Sequence, residues 1–280
     1  MRRRDLISAG GALAASMTLP VRQAGADSPS GVTARDPALL TAPGTQLSMV
    51  IEFTRQVDGR AVVRGRENVI YSFAADGGLT MNTHSESFDP PVIRTAIYTL
   101  GADYLPRECC VVLRNEGLAE GSAWFLIDEA VVELEGFNVR DGRLSRRIEA
   151  PEPVRALIAH AVSSDAFIAV AADRARPGEV VPATGVYLTS ADPFGRTGPD
   201  FRHVQIAMEY IGVETLATPA GTLPADHYLT YLPNATGSGY DAFQDLWCLA
   251  GTPVFLKSYA RAPFSTSYDT VVLESTAPPG

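Results

Sequence analysis

Residues Thr45–Phe73, TQLSMVIEFTRQVDGRAVVRGRENVIYSF, alternate apolar and polar side chains on either side of an Asp58-Gly59 pair. Leu47, Met49, Ile51 and Phe53 fall on one face, with Ser48, Glu52 and Thr54 on the other, because successive strand side chains point to opposite faces. Asp-Gly supplies the positive backbone angles of a tight turn. The run that follows, Ala61 to Phe73, sets Val63, Val69, Tyr71 and Phe73 against Arg64, Arg66 and Asn68. This is a long antiparallel hairpin with one apolar face.

The same texture continues through the chain. Turn residues at Asp76-Gly77-Gly78, Asn115-Glu116-Gly117, Asp141-Gly142 and Ala250-Gly251 separate strand-like runs. Those runs are Val92 to Leu100, Cys109 to Arg114, Ser122 to Asp128, Val131 to Val139 and Leu144 to Glu149. After the midpoint come His203 to Ile211, His227 to Leu232, Leu246 to Leu249, Pro253 to Ala260 and Tyr268 to Glu274. Short turns between many strands predict a mainly β fold, an antiparallel barrel or a strongly curved half-barrel. One segment departs from this pattern. After Pro151-Glu152-Pro153, residues Val154, Leu157, Ile158, Ala161 and Val162 follow helical spacing. Ser163-Ser164-Asp165 ends that helix or caps a second through Ala172, so one or two helices are expected to cover an end of the sheet. The Gly- and Pro-rich interval Ser190 to Phe201 reads as a long loop suited to a lid.

Of the 280 residues, 46% are hydrophobic and 20% charged, as in globular proteins, and the net charge is −9. That charge argues against nucleic acid as a partner, since phosphate binding needs clustered Lys and Arg. The first 26 residues read as an export signal: Arg2, Arg3 and Arg4, a weakly apolar run from Leu6 to Leu19, then Ala24-Gly25-Ala26. The apolar run is too short for a stable span of a ~30 Å hydrocarbon core. Arg3-Arg4-Asp5-Leu6-Ile7 resembles the twin-arginine signal, without its usual polar residue before the apolar pair or the Lys after it. Cleavage near Ala26 removes four Arg and one Asp and leaves an acidic periplasmic or secreted protein of net charge −12. Residues 27–44 form a polar lead-in without regular structure, and 45–280 a single β-rich domain. In an oxidising compartment Cys109 or Cys110 either pairs with Cys248 or all three are small buried residues.

There is no nucleophile elbow, zinc-peptidase helix, phosphate loop or dinucleotide fingerprint. No cofactor and no metal site is expected. His203, Gln205 and Glu209 share one face of an expected strand whose other face is apolar. That face is either solvated, or it lines a cavity in which His203 and Glu209 form an acid–base pair. His227 sits beside Tyr228 on a strand with Tyr231, either bonded to a backbone carbonyl or orienting a ligand in an aromatic interior. His160, near the end of the expected helix, is placed to meet the helix dipole and Asp165. Arg64 and Arg66 share a strand face, where they are an exposed pair or a clamp for an anionic group. Trp247 is a core residue or part of the ligand box.

Tyr210-Ile211-Gly212-Val213-Glu214, then Thr218-Pro219-Ala220-Gly221, then Leu246-Trp247 with Pro253, resemble a family of uncharacterised exported bacterial proteins. In these a G-x-E strand leads through a TPAG turn to a tryptophan strand. The resemblance covers roughly residues 200–275, and implies a curved antiparallel sheet similar to lipoprotein carriers of the LolA type, with a concave apolar face. It implies no catalytic residue. The leading functional reading is an exported protein that binds an apolar or aromatic small molecule or lipid in a β-barrel cavity. The first alternative is a cofactor-independent lyase, isomerase or hydrolase with His203 or His227 as base and Glu209 or Tyr231 assisting. The second is a structural component of the cell envelope with an envelope protein as partner.

Overall fold

The computed structural model describes residues 36–276 except Pro193, Phe194, Ala235, Gly237 and Ser238; the expected export signal lies outside them. The first element is a single helical turn, α1 (Pro37–Leu40), inside the lead-in expected to be irregular. Asp36 caps it by accepting from the Ala38 amide at 2.9 Å. Eight antiparallel strands follow: β1 (Gln46–Val57), β2 (Arg60–Phe73), β3 (Leu79–Phe88), β4 (Pro91–Leu100), β5 (Pro106–Asn115), β6 (Leu118–Asp128), β7 (Val131–Asn138) and β8 (Gly142–Glu149). The middle of the chain holds β9 (Ala156–Ile158), a 3₁₀ helix (Val162–Ala171), β10 (Val181–Ala183), β11 (Val186–Leu188) and β12 (Arg202–His203). A second meander completes the molecule: β13 (Ile206–Thr218), β14 (Gly221–Pro233), β15 (Tyr240–Leu249), β16 (Phe255–Ala260) and β17 (Thr266–Thr276).

Fourteen strands make one sheet in the order β10-β13-β14-β15-β16-β17-β1-β2-β3-β4-β5-β6-β7-β8, and β12-β11-β9 make a small second one. The fold is therefore mainly β and antiparallel, as the sequence predicts. The large sheet is open, with β10 and β8 at its edges, and strongly bent. Ala220, at the tip of the β13–β14 hairpin, donates to the carbonyl of Thr270 on β17, four strands away in the order. The Pro219-Ala220 turn between Thr218 and Gly221 is indeed a two-residue hairpin loop, and Gly221 takes a φ of 134° that a Cβ would oppose. Leu47, Met49, Ile51, Phe53, Val69, Tyr71 and Phe73 all lie on the buried concave face.

Four local expectations are corrected. Residues 154–161 are not helical: Ala156–Ile158 pair in parallel with Val186–Leu188, and the helix begins only at Val162. Ala156, Leu157, Ile158 and Ala159 are consecutive and all buried, so the spacing there carries no period. His203 and Glu209 are not on one strand, because the chain leaves the small sheet after His203 and enters the large one at Ile206. Val63 is exposed, because a bulge where Phe53 and Thr54 face Gly65 and Val63 reverses the alternation. The strand β3 has no counterpart among the expected runs, since its inward positions include Thr83 and Ser85.

Candidate functional site: a polar-ended cavity under the 3₁₀ helix

The concave face is mostly apolar, but polar side chains gather on it in rows. Ile51, Glu67, Ser85, Arg94 and Leu113 are consecutive partners across β1 to β5, and Glu67 and Arg94 are 0% and 5% exposed. Directly opposed strand residues are neighbours, so this row puts three polar side chains side by side inside the sheet. A second row on the other half pairs Thr230 with Gln244 and Gln244 with Ala260.

The 3₁₀ helix lies against β2, β9, β15 and β16 and joins the two rows. Glu67 accepts the amides of Val162 at 2.7 Å and Ser163 at 2.9 Å, meeting two donors that a helix start leaves without partners. Asp165, one turn on, accepts from Gln244 Nε2 at 3.0 Å, and the same nitrogen reaches Ser258 Oγ at 3.1 Å. Arg94 Nη1 donates to the carbonyl of His160 at 3.1 Å. Gly195, with φ 64°, packs so close that a Cβ there would stand 2.6 Å from His160 and 2.8 Å from Arg94. The interval expected as a lid is tied to the sheet in its described parts. The Asp200 amide bonds Thr189, Asn138 Nδ2 bonds the Pro199 carbonyl, and the Asp192 carboxylate holds Arg196.

These groups line a cavity of about 520 Å³. Its walls are apolar, with Phe53, Ile158, Ile168, Leu188, Ile206 and Phe243 among them, and its outer edge carries Arg55, Arg64 and Asp89. Arg94, His160, Asp165, Gln244, Ser85 and Thr230 supply the polar surface. Ser85 Oγ, Thr230 Oγ1 and His160 Nε2 are buried with no hydrogen-bond partner among the described residues. Buried polar atoms normally find partners, so unpartnered polar atoms on three lining residues set this end of the cavity apart from its apolar walls.

Burial sets the protonation of this end. The Asp165 carboxyl is pushed up to about 7, mainly by burial and further by Glu67, while Gln244 and Arg94 pull the other way. Asp165 retains accessible surface although protein surrounds it, and that surface opens on the cavity it lines. Burial and the neighbouring Arg94 guanidinium lower His160 to about 4. Burial also lowers Arg94 to about 10, opposed by Glu67, Asp165 and Asp192.

The two shifts act on stability with opposite signs. Between about 4 and 7 the native state holds a proton on Asp165 that the unfolded chain has released, so this group makes stability fall as pH rises. Between about 6.5 and 4 the unfolded chain binds a proton at His160 that the native state refuses, so this group makes stability rise with pH. Their contributions cancel over most of that window. Denaturation midpoints from pH 4 to 7 should therefore be steeper in either single variant than in the parent. Asp165→Asn should stabilise with rising pH, and His160→Asn, which tolerates the φ of 59° at this position, should do the reverse. Two variants with the same slope as the parent would refute the assignment.

The residues singled out in the sequence fall mostly elsewhere. His203 is exposed, its Nε2 3.0 Å from Glu152, and tilts against Tyr187. Glu209 accepts from Tyr231, whose hydroxyl is pushed up to about 12 by burial and by that carboxylate. His227 stacks on Trp247 with centroids 4.3 Å apart, its Nε2 3.4 Å from Asp245. Trp247 donates to Glu214. Tyr228 is buried beside Tyr210. Arg66 pairs with Glu52, whereas Arg64, the extra residue of the β1–β2 bulge, turns to Asp89 at the cavity edge. The structure thus brings Glu209 to Tyr231 and His227 to Trp247, places Arg64 and His160 on the cavity, and leaves His203 apart. Cys109, Cys110 and Cys248 are free thiols. The cavity residues had a readable signal: Glu67 and Arg94 are polar side chains in phase with Val69, Tyr71 and Phe73 and with Val92, Ala96 and Tyr98.

Comparison with solved structures supports the fold class. The chain is similar to a β-barrel-like protein of the domain of unknown function DUF1849 from Brucella abortus. The two share 8% identity with a TM-score of 0.50, over 83% of this chain and 98% of that one. At that identity the likeness speaks for architecture alone. A YmcC-like protein from Bacteroides fragilis aligns over 83% of this chain and 96% of its own, at 8% identity and a TM-score of 0.26, too low to carry an argument. No family model matches the sequence, and no curated protein matches it.

Proposed function

We propose that the protein is an exported carrier or receptor that binds an apolar or aromatic small molecule or lipid in the cavity beneath the 3₁₀ helix. The observation that carries this reading is the cavity itself: about 520 Å³ of apolar-walled space ending in polar atoms that the described residues leave unpartnered. Protein interiors are close-packed, so a space of this size is a binding site before it is a packing fault. Export rests on the basic and apolar N-terminal sequence, and agrees with the fact that no described helix is long and apolar enough to cross a membrane.

Filling the space tests the reading. Leu188→Trp places a large ring where a half-buried wall residue now stands. It is expected to weaken binding of an environment-sensitive apolar fluorophore at least tenfold, as read by titration, with the folded far-ultraviolet spectrum retained. Unchanged affinity would place the fluorophore elsewhere and refute the site. Native mass spectrometry of protein from its own host is expected to show a bound small molecule released on unfolding. The enzymatic alternative draws support from a different residue than His203 or His227: Asp165 is the cavity group whose proton exchanges near neutral pH.

A further inference from the structure

The polar end of the cavity is unevenly charged. The Glu67 carboxylate is taken up by two backbone amides and balanced by Arg94 in the same row. Asp192 is matched by Arg196 at 2.8 Å. Asp165 has the Gln244 amide on Oδ2, and its side chain enters no ion pair among the described residues. Arg94 also acts on Asp165 but is shared with Glu67 and Asp192, whereas Tyr268 on β17 and Cys248 on β15 are neutral, and His160 is held neutral beside Arg94. At the outer edge Arg64 is compensated by Asp89, and Arg55 is exposed to solvent. Asp165 is thus a carboxyl on a largely apolar cavity, in no ion pair among the described residues and with Arg94 shared between it, Glu67 and Asp192.

Resting on the cavity reading above, we propose that the ligand is an amphiphilic amine, with its apolar or aromatic body against the walls and its protonated nitrogen against Asp165. An ammonium has three donors and no acceptor. The site offers it the Asp165 carboxylate, beside the polar lining residues Ser85, Thr230, Gln244 and His160. A desolvated carboxylate is costly alone, and a bound cation would restore the balance that burial removes. An anionic head would instead meet the Asp165 carboxyl, and the guanidinium lining that end, Arg94, already donates to the His160 carbonyl and sits in the row of Glu67. The net charge of −9 adds a field that draws cations toward the protein.

The test compares dodecylamine, 1-dodecanol and dodecanoate by calorimetry at pH 8 and low salt, below their micellar concentrations, on the full protein and on Asp165→Asn. The amine is expected to bind the parent at least tenfold tighter than the alcohol. Asp165→Asn should erase that preference while leaving the alcohol within threefold. Amine affinity should also fall as pH drops below about 7, where Asp165 holds a proton that the ligand must displace. If dodecanol or dodecanoate binds the parent as tightly as the amine, or the preference survives in Asp165→Asn, the inference is overturned while the cavity reading stands. If none of the three binds, the cavity reading fails and takes the inference with it.

Discussion

Glu67→Ala is expected to destabilise the protein by about 4 kcal/mol and to release the start of the 3₁₀ helix from the sheet. The carboxylate accepts the Val162 and Ser163 amides in a fully buried setting. Each amide left without a partner costs roughly 1–3 kcal/mol. Removing the carboxylate also takes away one of the three carboxylates that act on Arg94, 5% exposed, leaving Asp165 and Asp192. The contributions overlap, because the helix start relaxes and water enters, so they do not sum. Glu67→Gln keeps one acceptor and turns an N–H₂ toward the second amide, and about half the loss is expected. Denaturant unfolding measures the totals, and hydrogen exchange at Val162 and Ser163 locates them. A Glu67→Ala protein within about 1 kcal/mol of the parent, with those amides still protected, would show that the 3₁₀ helix is held by packing alone.

The second large effect is expected on the opposite side of the same helix. Phe167 is 1% exposed and meets Tyr98 edge-to-face with centroids 5.0 Å apart, whereas its neighbour Ile168 lines the cavity. Phe167→Ala should cost about 3–5 kcal/mol, since it removes a ring packed on all sides and leaves a void. Ile168→Ala should cost about 2 kcal/mol, because part of the side chain already borders empty space and fewer contacts are lost. The order of the two midpoints in urea, at constant m-value, decides the matter. Equal losses would mean that the cavity is filled or collapsed in solution. The same pair separates stability from binding: Ile168→Ala should alter affinity for an apolar probe, and Phe167→Ala should act through the fold.

How far the sequence could be read follows from where polar side chains sit. The β1–β2 hairpin is legible because Leu47, Met49, Ile51 and Phe53 alternate without interruption up to the bulge. Strand β3 is not, because Thr83 and Ser85 occupy its inward positions and blur the period. Residues 156–159 are buried without a break, so the pattern that separates helix from strand is missing there and only the pairing with β11 identifies the strand. Glu67 and Arg94 could have been found as in-phase intruders on apolar strand faces. Asp165 could not. Its role depends on Gln244, 79 residues away, and on the fold that carries the 3₁₀ helix under the sheet. His203 and Glu209 were drawn together by a run of alternating residues that the chain divides between two sheets.

The position of β1 has a consequence for biosynthesis. It lies in the middle of the large sheet, between β2 and β17, so its second edge is completed by the last of the described strands. From the time β1 leaves the ribosome until β17 follows, a twelve-residue strand with an apolar face offers an unsatisfied edge to any other nascent chain. The eight-strand meander from β1 to β8 needs only local hairpins and can assemble early, but sealing it to β17 waits on one closure of very high sequence separation. A holdase that covers the β1 edge would guard that interval.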